Sequence, residues 1–306
     1  MPELPDVTVY VERLAALVGG AELRRTRLAS PFLLRTVAPA PADAEGRRVV
    51  GVRRLGKRVV IALEGEIFFV IHLMIAGRLH WRGAGAAIPK RGGLAAFDFA
   101  PGSLLLTEAG SKRRASLHVV GGTAALTALD RGGLEILDAS LASFRETLRR
   151  ENHTLKRALT DPSLFSGIGN AYSDEILHRA RLSPLALSRS LTDGEAEALY
   201  RVAQQTLADW VERLRREAGD GFPEHVTAFR EGMAVHGRYR EACPACGSPV
   251  QRIVYAENEA NYCPHCQTGG KLLADRALSR LLKKDWPRTL EELEERRAAL
   301  LPAPPR

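Results

Sequence analysis

Hydrophobic positions along this 306-residue chain change their spacing near residue 137. Before that point, short β-branched runs alternate with Gly, Glu and Lys. Three of these runs are residues 48–52, 58–63 and 67–73. Such runs bounded by turn residues predict strands, and a succession of them predicts antiparallel sheets packed on each other. Pro101-Gly102 lies between two further runs and predicts a hairpin turn.

After residue 137 the apolar positions follow a helical period, which predicts amphipathic helices. These positions are Phe144, Leu148, Leu155, Leu159, Ile176, Leu177, Ala196, Leu199, Val202, Leu207 and Val211. The Leu-Ser-Pro-Leu segment at 182–185 predicts a break between two helices. Thr192, with Glu195 three residues later, predicts a capping box that opens the next helix.

The C-terminal segment is rich in leucine. An amphipathic helix is predicted from Leu272, Leu273, Leu278, Leu281 and Leu282. A second capping box, Thr289 with Glu292, predicts another helix after it.

Four cysteines form two Cys-x-x-Cys pairs with sixteen residues between the pairs. This spacing in Cys243, Cys246, Cys263 and Cys266 predicts a tetrahedral site for one Zn²⁺. Four thiolates leave no position for water, so the metal is expected to be structural. Disulfide pairing is disfavoured because the sequence shows no export signal. His265, between two ligands, is expected on the surface.

These patterns together predict an α+β chain of several modules. An N-terminal helix and an antiparallel β-sandwich are expected within residues 1–137. A helical domain is expected at 138–232, the zinc finger at 233–270 and a helical extension at 271–306.

Composition and charge narrow the possible partners. A content of 45% hydrophobic and 26% charged residues is typical of globular proteins. No apolar stretch approaches the ~20 residues that cross a bilayer, so we expect a cytoplasmic protein with no membrane partner. The net charge of +8 comes mostly from arginine, which pairs well with phosphate. Nucleic acid is therefore the first candidate, although compositional bias alone also explains the charge.

The chain starts with Met1-Pro2-Glu3-Leu4-Pro5-Asp6. Removal of Met1 leaves a secondary amine with a starting pKa near 8, far below the ~10.4 of a lysine, so a much larger fraction of it is neutral at pH 7 than of a lysine. A helix that begins at Pro5 would lower this pKa further. The amine can then attack an electrophilic sugar carbon to form an iminium ion, with Glu3 as proton carrier. The alternative is an ordinary terminus whose prolines only open a helix.

The order of these features resembles the formamidopyrimidine-DNA glycosylase and endonuclease VIII family over roughly residues 2–267. The resemblance rests on Pro-Glu-Leu-Pro at the terminus, the β-rich first domain, the helical second domain and the late four-cysteine finger. The segment Gly167-Ile-Gly-Asn-Ala-Tyr-Ser-Asp-Glu175 is similar to the family's helix-two-turn-helix signature. Gly56-Lys57, ahead of a strand, matches a DNA-contacting lysine.

The resemblance implies a bifunctional DNA glycosylase and abasic-site lyase. Pro2 would be the nucleophile, Glu3 the proton carrier and Lys57 a phosphate clamp in the catalytic site. The resemblance also implies a supporting carboxylate at Asp6 and phosphate contacts from Lys156, Asn170 and Arg238. Damaged double-stranded DNA is the implied partner of a monomeric, nucleoid-associated protein.

Several positions depart from the family pattern. Asp6 stands where glutamate is common. At the finger hairpin the family has an arginine that binds phosphates beside the lesion. In this chain Asn258 is the residue nearest that position, and Glu257 and Glu259 flank it. Ile75, or its neighbour Met74, takes the place of the apolar wedge. The segment around Arg113 and Arg114 has no aromatic wedge, although both arginines are candidates for DNA contact. A long lesion-capping loop before the finger is not evident.

These departures leave two other hypotheses open. The first is a protein with the same scaffold that binds damaged DNA with weak catalysis or none, as Asn258 would favour. The second, more distant hypothesis is a zinc-ribbon RNA-binding protein, which does not explain Pro2-Glu3.

Overall fold

The computed structural model describes the whole chain except residues 111, 225, 228, 256–257, 275–284 and 301–306. The chain forms two compact units, each built from three segments. The first unit comprises Met1–Ala139, Asp161–Ile168 and Leu207–Ala228, and the second comprises Ser140–Thr160, Gly169–Thr206 and Phe229–Arg306.

The first unit begins with helix α1, Leu4–Val18, which has Pro5 in its first turn. Proline fits this position because the first amides of a helix have no intrahelical acceptor. Its buried face, including Val7, Tyr10 and Leu14, belongs to the main hydrophobic core. The helix therefore covers the sheets and holds the N-terminal residues in place.

Eight antiparallel strands of the first unit form two four-stranded sheets. The strands are β1 Leu23–Leu28, β2 Val49–Leu55, β3 Arg58–Leu63, β4 Ile67–His72, β5 Gly77–Arg82, β6 Gly93–Phe99, β7 Gly102–Glu108 and β8 Ser116–Gly121. One sheet has the order β1-β6-β7-β5 and the other the order β2-β3-β4-β8. Side chains of both sheets enter one core, where the rings of Phe69 and Phe97 lie 5.6 Å apart. The predicted β-sandwich is confirmed.

The predicted hairpin joins β6 to β7, with Phe99 opposite Gly102. A Cβ atom at Gly102 would lie 2.5 Å from the Trp81 ring, so the close packing of β5 on this turn requires glycine. Strand β1 has a sequence, Leu-Arg-Arg-Thr-Arg-Leu, whose apolar pattern does not predict a strand. It forms because it pairs with β6 at the edge of the sheet.

Helices α2 Thr123–Thr127, α3 Leu141–Arg150, α4 Leu155–Thr160, α5 Asn170–Arg179 and α6 Asp193–Ala218 follow the strands. The predicted capping box is present at the start of α6. The Glu195 amide donates to the Thr192 hydroxyl over 3.2 Å, and the Thr192 amide donates to the Glu195 carboxylate over 2.8 Å.

The finger consists of the hairpin β9 Gln251–Tyr255 and β10 Asn258–Tyr262, followed by helix α7 Pro264–Thr268. Helix α8, Leu290–Leu300, lies near the C-terminus, and the Glu292 amide donates to Thr289 as the second capping box predicts. The predicted amphipathic helix around Leu272–Leu282 falls mostly outside the described residues. Within the described residues, no helix is long and apolar enough to span a membrane.

Candidate catalytic and DNA-binding sites

The N-terminal motif lies in the interior of the first unit. Pro2 is buried and the Glu3 residue is only 2% exposed. The Glu3 amide donates to the Asp6 carboxylate over 2.9 Å, and the Leu4 amide donates to the Gly167 carbonyl over 2.8 Å. Asp6, in the first turn of α1, thus accepts the backbone amide of the residue that precedes the helix. The short side chain of aspartate is long enough for this bond, because the two residues are only three positions apart.

Charged groups around the terminus affect its amine. Burial lowers the pKa of the Met1 amino group below its usual value. The carboxylates of Glu3 and Asp6 oppose this shift, whereas the nearby Arg78 and Lys57 cations reinforce it. Arg78, in β5, is a neighbour of the terminus that the sequence did not reveal, because no motif marks it.

A turn between β2 and β3 presents the half-buried Lys57. Gly56 has a φ of 61°, a conformation that glycine adopts without strain. Arg54 donates to the Gly56 carbonyl over 2.8 Å and to the Ser166 hydroxyl over 3.3 Å, and it also pairs with Glu135. Ser166 in turn donates to Glu135 over 2.5 Å. This network ties the Lys57 turn to the segment just before Gly167.

The loop after β4 carries the candidate wedge residues. His72 accepts a hydrogen bond from the Met74 amide at 3.0 Å through its Nδ1. Burial, with the nearby Arg58, Lys57 and His118, lowers the His72 pKa to about 4. Met74 has a φ of 52°, and Ile75 is 56% exposed. Ile75 is therefore the more exposed of the two candidates.

Arg113 and Arg114 lie on an exposed segment after β7. The buried Glu108 carboxylate accepts the amides of Arg114 and Ala115 at 2.9 and 3.0 Å, and these bonds fix the base of the segment. A cavity of about 690 Å³ is lined by Pro89, Arg91, Gly92, Thr107, Glu108, Ala109, Gly110 and Arg113.

In the second unit, Lys156 and Asn170 lie together at the start of α5. The Lys156 ammonium donates to the Asn170 carbonyl over 2.7 Å and to the Asp174 carboxylate over 2.5 Å. Lys156 is buried, unlike the solvated helix lysine that is common on protein surfaces. Asn170 is half-buried as the first residue of α5, and its side chain makes no hydrogen bond with the described residues.

Two other candidate DNA contacts lie elsewhere in this unit. The Arg238 guanidinium is paired with Glu241 at 2.8 Å and donates to the Met233 carbonyl over 3.1 Å. Asn258 is the first residue of β10, where its backbone lies opposite Tyr255. The Asn258 side chain and Glu257 lie outside the described part of the chain.

The four cysteine sulfurs converge as the spacing predicts. All four Sγ atoms lie within 4.8 Å of one another, and the Cys243–Cys266 and Cys246–Cys263 pairs are 3.9 and 3.4 Å apart. Zinc with ~2.3 Å Zn–S bonds needs sulfurs about 3.8 Å apart, so this arrangement fits the ion. His178 lies 3.2 Å from the Cys243 sulfur, in position to donate to a thiolate. His265 is exposed.

Comparisons with known proteins match three successive parts of this chain. The formamidopyrimidine-DNA glycosylase N-terminal domain matches residues 1–114, and the H2TH domain of that glycosylase matches 135–218. A zinc finger found in FPG and IleRS matches 240–269. A formamidopyrimidine-DNA glycosylase of Thermus thermophilus is 38% identical over 288 residues, which cover 88% of this chain and 100% of that protein.

The chain belongs to the formamidopyrimidine-DNA glycosylase family. A crystal structure of the T. thermophilus glycosylase superposes with a TM-score of 0.73 at 36% identity, covering 87% of this chain and 98% of that one. The Lactococcus lactis glycosylase, in complex with DNA containing an abasic site, has a TM-score of 0.76 over 87% of this chain and 99% of that one. Because the two sequences are only 22% identical, this structural similarity shows a shared fold alone.

Membership of the glycosylase family supports a DNA glycosylase in DNA repair with a structural zinc site. Within the first unit, Pro2, Glu3 and Asp6 come together, and Lys57 lies close enough to influence the terminal amine. Within the second, Lys156 and Asn170 are in contact, whereas Arg238 engages other partners. The sequence missed Arg54, Arg78, Glu135 and Asp174, because each acts on residues far away in the chain.

Proposed function

We propose that this chain is a bifunctional DNA glycosylase and abasic-site lyase that removes damaged bases, oxidised ones in particular. Its substrate is damaged double-stranded DNA, in which the damaged nucleotide rotates out of the duplex to expose its sugar carbon. The relatives named above bear the glycosylase name, and one was solved with abasic-site DNA. We further propose that the protein acts as a monomer on the bacterial chromosome.

The observation that carries this proposal is the buried N-terminal motif beside two cations. In the structure the Pro2 nitrogen is an amide of Met1, so it stands in for the free secondary amine of the trimmed chain. That amine would meet the same burial and the same Arg78 and Lys57 cations that lower the Met1 pKa. A larger neutral fraction at pH 7 is what a nucleophilic amine requires.

The proposed reaction begins when the Pro2 lone pair forms a bond to C1′. The bond from C1′ to the base breaks as the departing base takes up a proton. The C1′–O4′ bond then breaks as the ring opens, O4′ takes up a proton and the Pro2 nitrogen gives up its N–H proton, so that an iminium remains at C1′. Glu3 supplies the proton to the departing base or to the opening sugar ring. The resulting iminium acidifies the C2′ proton. Loss of that proton expels the 3′ phosphate, a second elimination expels the 5′ phosphate, and water then releases the sugar fragment from Pro2. One covalent adduct thus serves base removal and strand cleavage.

The other candidate residues would hold the DNA. Lys57 would clamp a phosphate as a point charge. Ile75 would fill the space that the rotated nucleotide leaves, and Arg113 and Arg114 would contact the duplex near it. Asn170, at the N-terminus of α5, would bind a phosphate through its side-chain amide and the backbone N–H groups of the first helical turn. Arg238 and Asn258 would make further backbone contacts.

Zinc would cross-link the finger through its four cysteines and has no part in the chemical steps.

The second candidate function is binding of damaged DNA with weak catalysis or none. Asn258 favours it, because an amide replaces the expected arginine and two carboxylates flank it in the sequence.

Borohydride trapping separates these functions. Tag-free, trimmed protein would be incubated with duplexes that carry an abasic site or an oxidised base, alongside Pro2→Gly and Glu3→Gln. An adduct that forms with the wild type and disappears in Pro2→Gly supports the lyase. Glu3→Gln should keep adduct formation on abasic DNA and lose release of the oxidised base. Binding to abasic DNA without any adduct would identify a damage-binding protein instead.

A further inference from the structure

Asp174 joins three separate segments of the second unit. Its side chain is 0% exposed. One carboxylate oxygen accepts the Lys156 ammonium at 2.5 Å. The other accepts His236 Nδ1 at 2.8 Å and the Asn261 amide nitrogen at 3.3 Å. The partners come from α4, from the segment before the finger and from β10. A buried carboxylate needs such partners, because a buried charge without them is strongly destabilising.

Lys156 connects this carboxylate to the start of α5. The same ammonium donates to the Asn170 carbonyl at 2.7 Å, and the Lys156 side chain is only 11% exposed. Two of its three protons are thus used inside the protein. The first turn of α5, where Asn170 lies, is held from within by a cation that Asp174 keeps in place.

Asn261 connects the carboxylate to the finger. It lies in β10, opposite Arg252 of β9 and two residues before Cys263. The position of its amide therefore depends on the hairpin, and the hairpin is continuous with a zinc ligand. A change in the finger can reach Asn170 through Asn261, Asp174 and Lys156 in turn.

We propose that Asp174 is a positioning residue for DNA binding, which fixes Lys156 and the first turn of α5 and couples them to the finger. This inference rests on the proposed phosphate contact of Asn170. In this arrangement Lys156 contributes to affinity by holding Asn170, and its ammonium does not itself neutralise a phosphate.

Because Asp174 is negatively charged, the direction of the change in DNA affinity on its neutralisation distinguishes a charge effect from a positioning role. DNA repels a nearby carboxylate, so an Asp→Asn change that acted only through charge would tighten binding. A positioning role predicts weaker binding. Asp193→Asn is the matched control, because it makes the same chemical change in the same unit at an exposed residue. Unlike Asp174, Asp193 is paired at the protein surface, with Arg149.

Affinity of the zinc-loaded full chain for a duplex with an abasic-site analogue would be measured across KCl concentrations. Asp174→Asn should bind about tenfold more weakly than Asp193→Asn. Lys156→Gln should lose DNA affinity by a similar factor, and the dependence of its affinity on KCl concentration should have the same slope as in the wild type. A direct phosphate contact would instead reduce the slope by about 0.9. That result, or Asp174→Asn binding as tightly as its control, overturns the proposal.

Because Asp174→Asn leaves a buried lysine without its counter-ion, the Asp174→Asn/Lys156→Gln double variant keeps the assay decisive if the single variant fails to fold. Its neutral pair should fold and should still bind about tenfold more weakly than Asp193→Asn, whereas binding as tight as that control overturns the proposal. Amide NMR positions of Asn170 and Ala171 should move in Lys156→Gln and stay in Asp193→Asn. These NMR positions test the positioning role of Asp174 and Lys156 without DNA. If the wild type binds no abasic duplex, that result counts against the proposed function only.

Discussion

The amide of Leu4 donates a hydrogen bond to the carbonyl of Gly167 over 2.8 Å. Leu4 opens α1 directly after Pro2 and Glu3, and Gly167 begins the helix-two-turn-helix signature. The two motifs that carry the resemblance to the family are therefore in contact within the first unit. Gly167 has a φ of 79°, and a Cβ there would lie 2.8 Å from Leu4 Cβ and 3.0 Å from an Arg54 nitrogen.

Gly167→Ala should therefore destabilise the protein by about 2–3 kcal/mol, from left-handed backbone strain plus the contact with Leu4. The displaced Leu4 should also slow borohydride trapping at least tenfold. Thermal unfolding and trapping rate would be measured together. Gly194→Ala is the control, because a Cβ there meets nothing within 4 Å and its φ is not left-handed. Equal behaviour of the two variants would contradict the argument.

Arg54→Gln should slow catalysis, because Arg54 holds the turn that carries Lys57 and the segment that contacts Leu4. We expect a loss of about 2 kcal/mol in stability and a fall in kcat larger than any rise in KM. Arg27→Gln is the matched variant, since Arg27 is a partly buried arginine paired with Asp98 at 2.7 Å in the other sheet. Arg27→Gln should lose similar stability and keep the wild-type kcat.

His72 gives the protein a specific dependence on pH. Burial and nearby cations lower its pKa from the ordinary 6.5 to about 4. In the unfolded chain His72 is therefore protonated below about pH 6.5, whereas in the folded protein it stays neutral until the pH falls to about 4. This contribution to stability is complete above pH 6.5 and is lost as the pH falls, by on the order of 2 kcal/mol.

Denaturant unfolding between pH 4 and 7 would measure this loss. His72→Gln keeps an acceptor for the Met74 amide and has no proton to bind, so its stability should fall less steeply over the same range. An identical slope in the wild type and the variant would show that other groups set the dependence.

Zinc removal should unfold the finger, since the four sulfurs have no other cross-link among the described residues. Metal analysis should find one zinc per chain, and Cys246→Ser should lose it together with the native NMR signals of residues 243–268. His265→Ala should retain the metal, because His265 is exposed and the four cysteines complete the site. Loss of zinc in His265→Ala would contradict this assignment.

The sequence predicted features whose signals are local. Strands β2 to β4 follow β-branched runs, the α6 capping box lies within four residues, and the zinc site follows from two short cysteine pairs. Strand β1 escaped prediction because its sequence, Leu-Arg-Arg-Thr-Arg-Leu, has no alternation of apolar and polar residues, and only its pairing with β6 makes it a strand.

Long-range partners in the candidate site also escaped prediction. Arg54 and Glu135 are separated by 81 residues, and Asp174 and Asn261 by 87. Neither member of a pair identifies the other by its residue type. Lys156 illustrates the limit: the family resemblance implied a phosphate contact for it, whereas its burial and its inward hydrogen bonds depend on the folded second unit.

The buried contacts of Asp174 restrict how this chain can change over generations. A single replacement of Asp174 or Lys156 leaves an opposite charge inside the protein, so viable sequence paths should change both positions together or neither. His236 and Asn261 share the same oxygen and should vary with them. Among relatives of this protein, these four positions are expected to form one covarying group drawn from distant parts of the sequence.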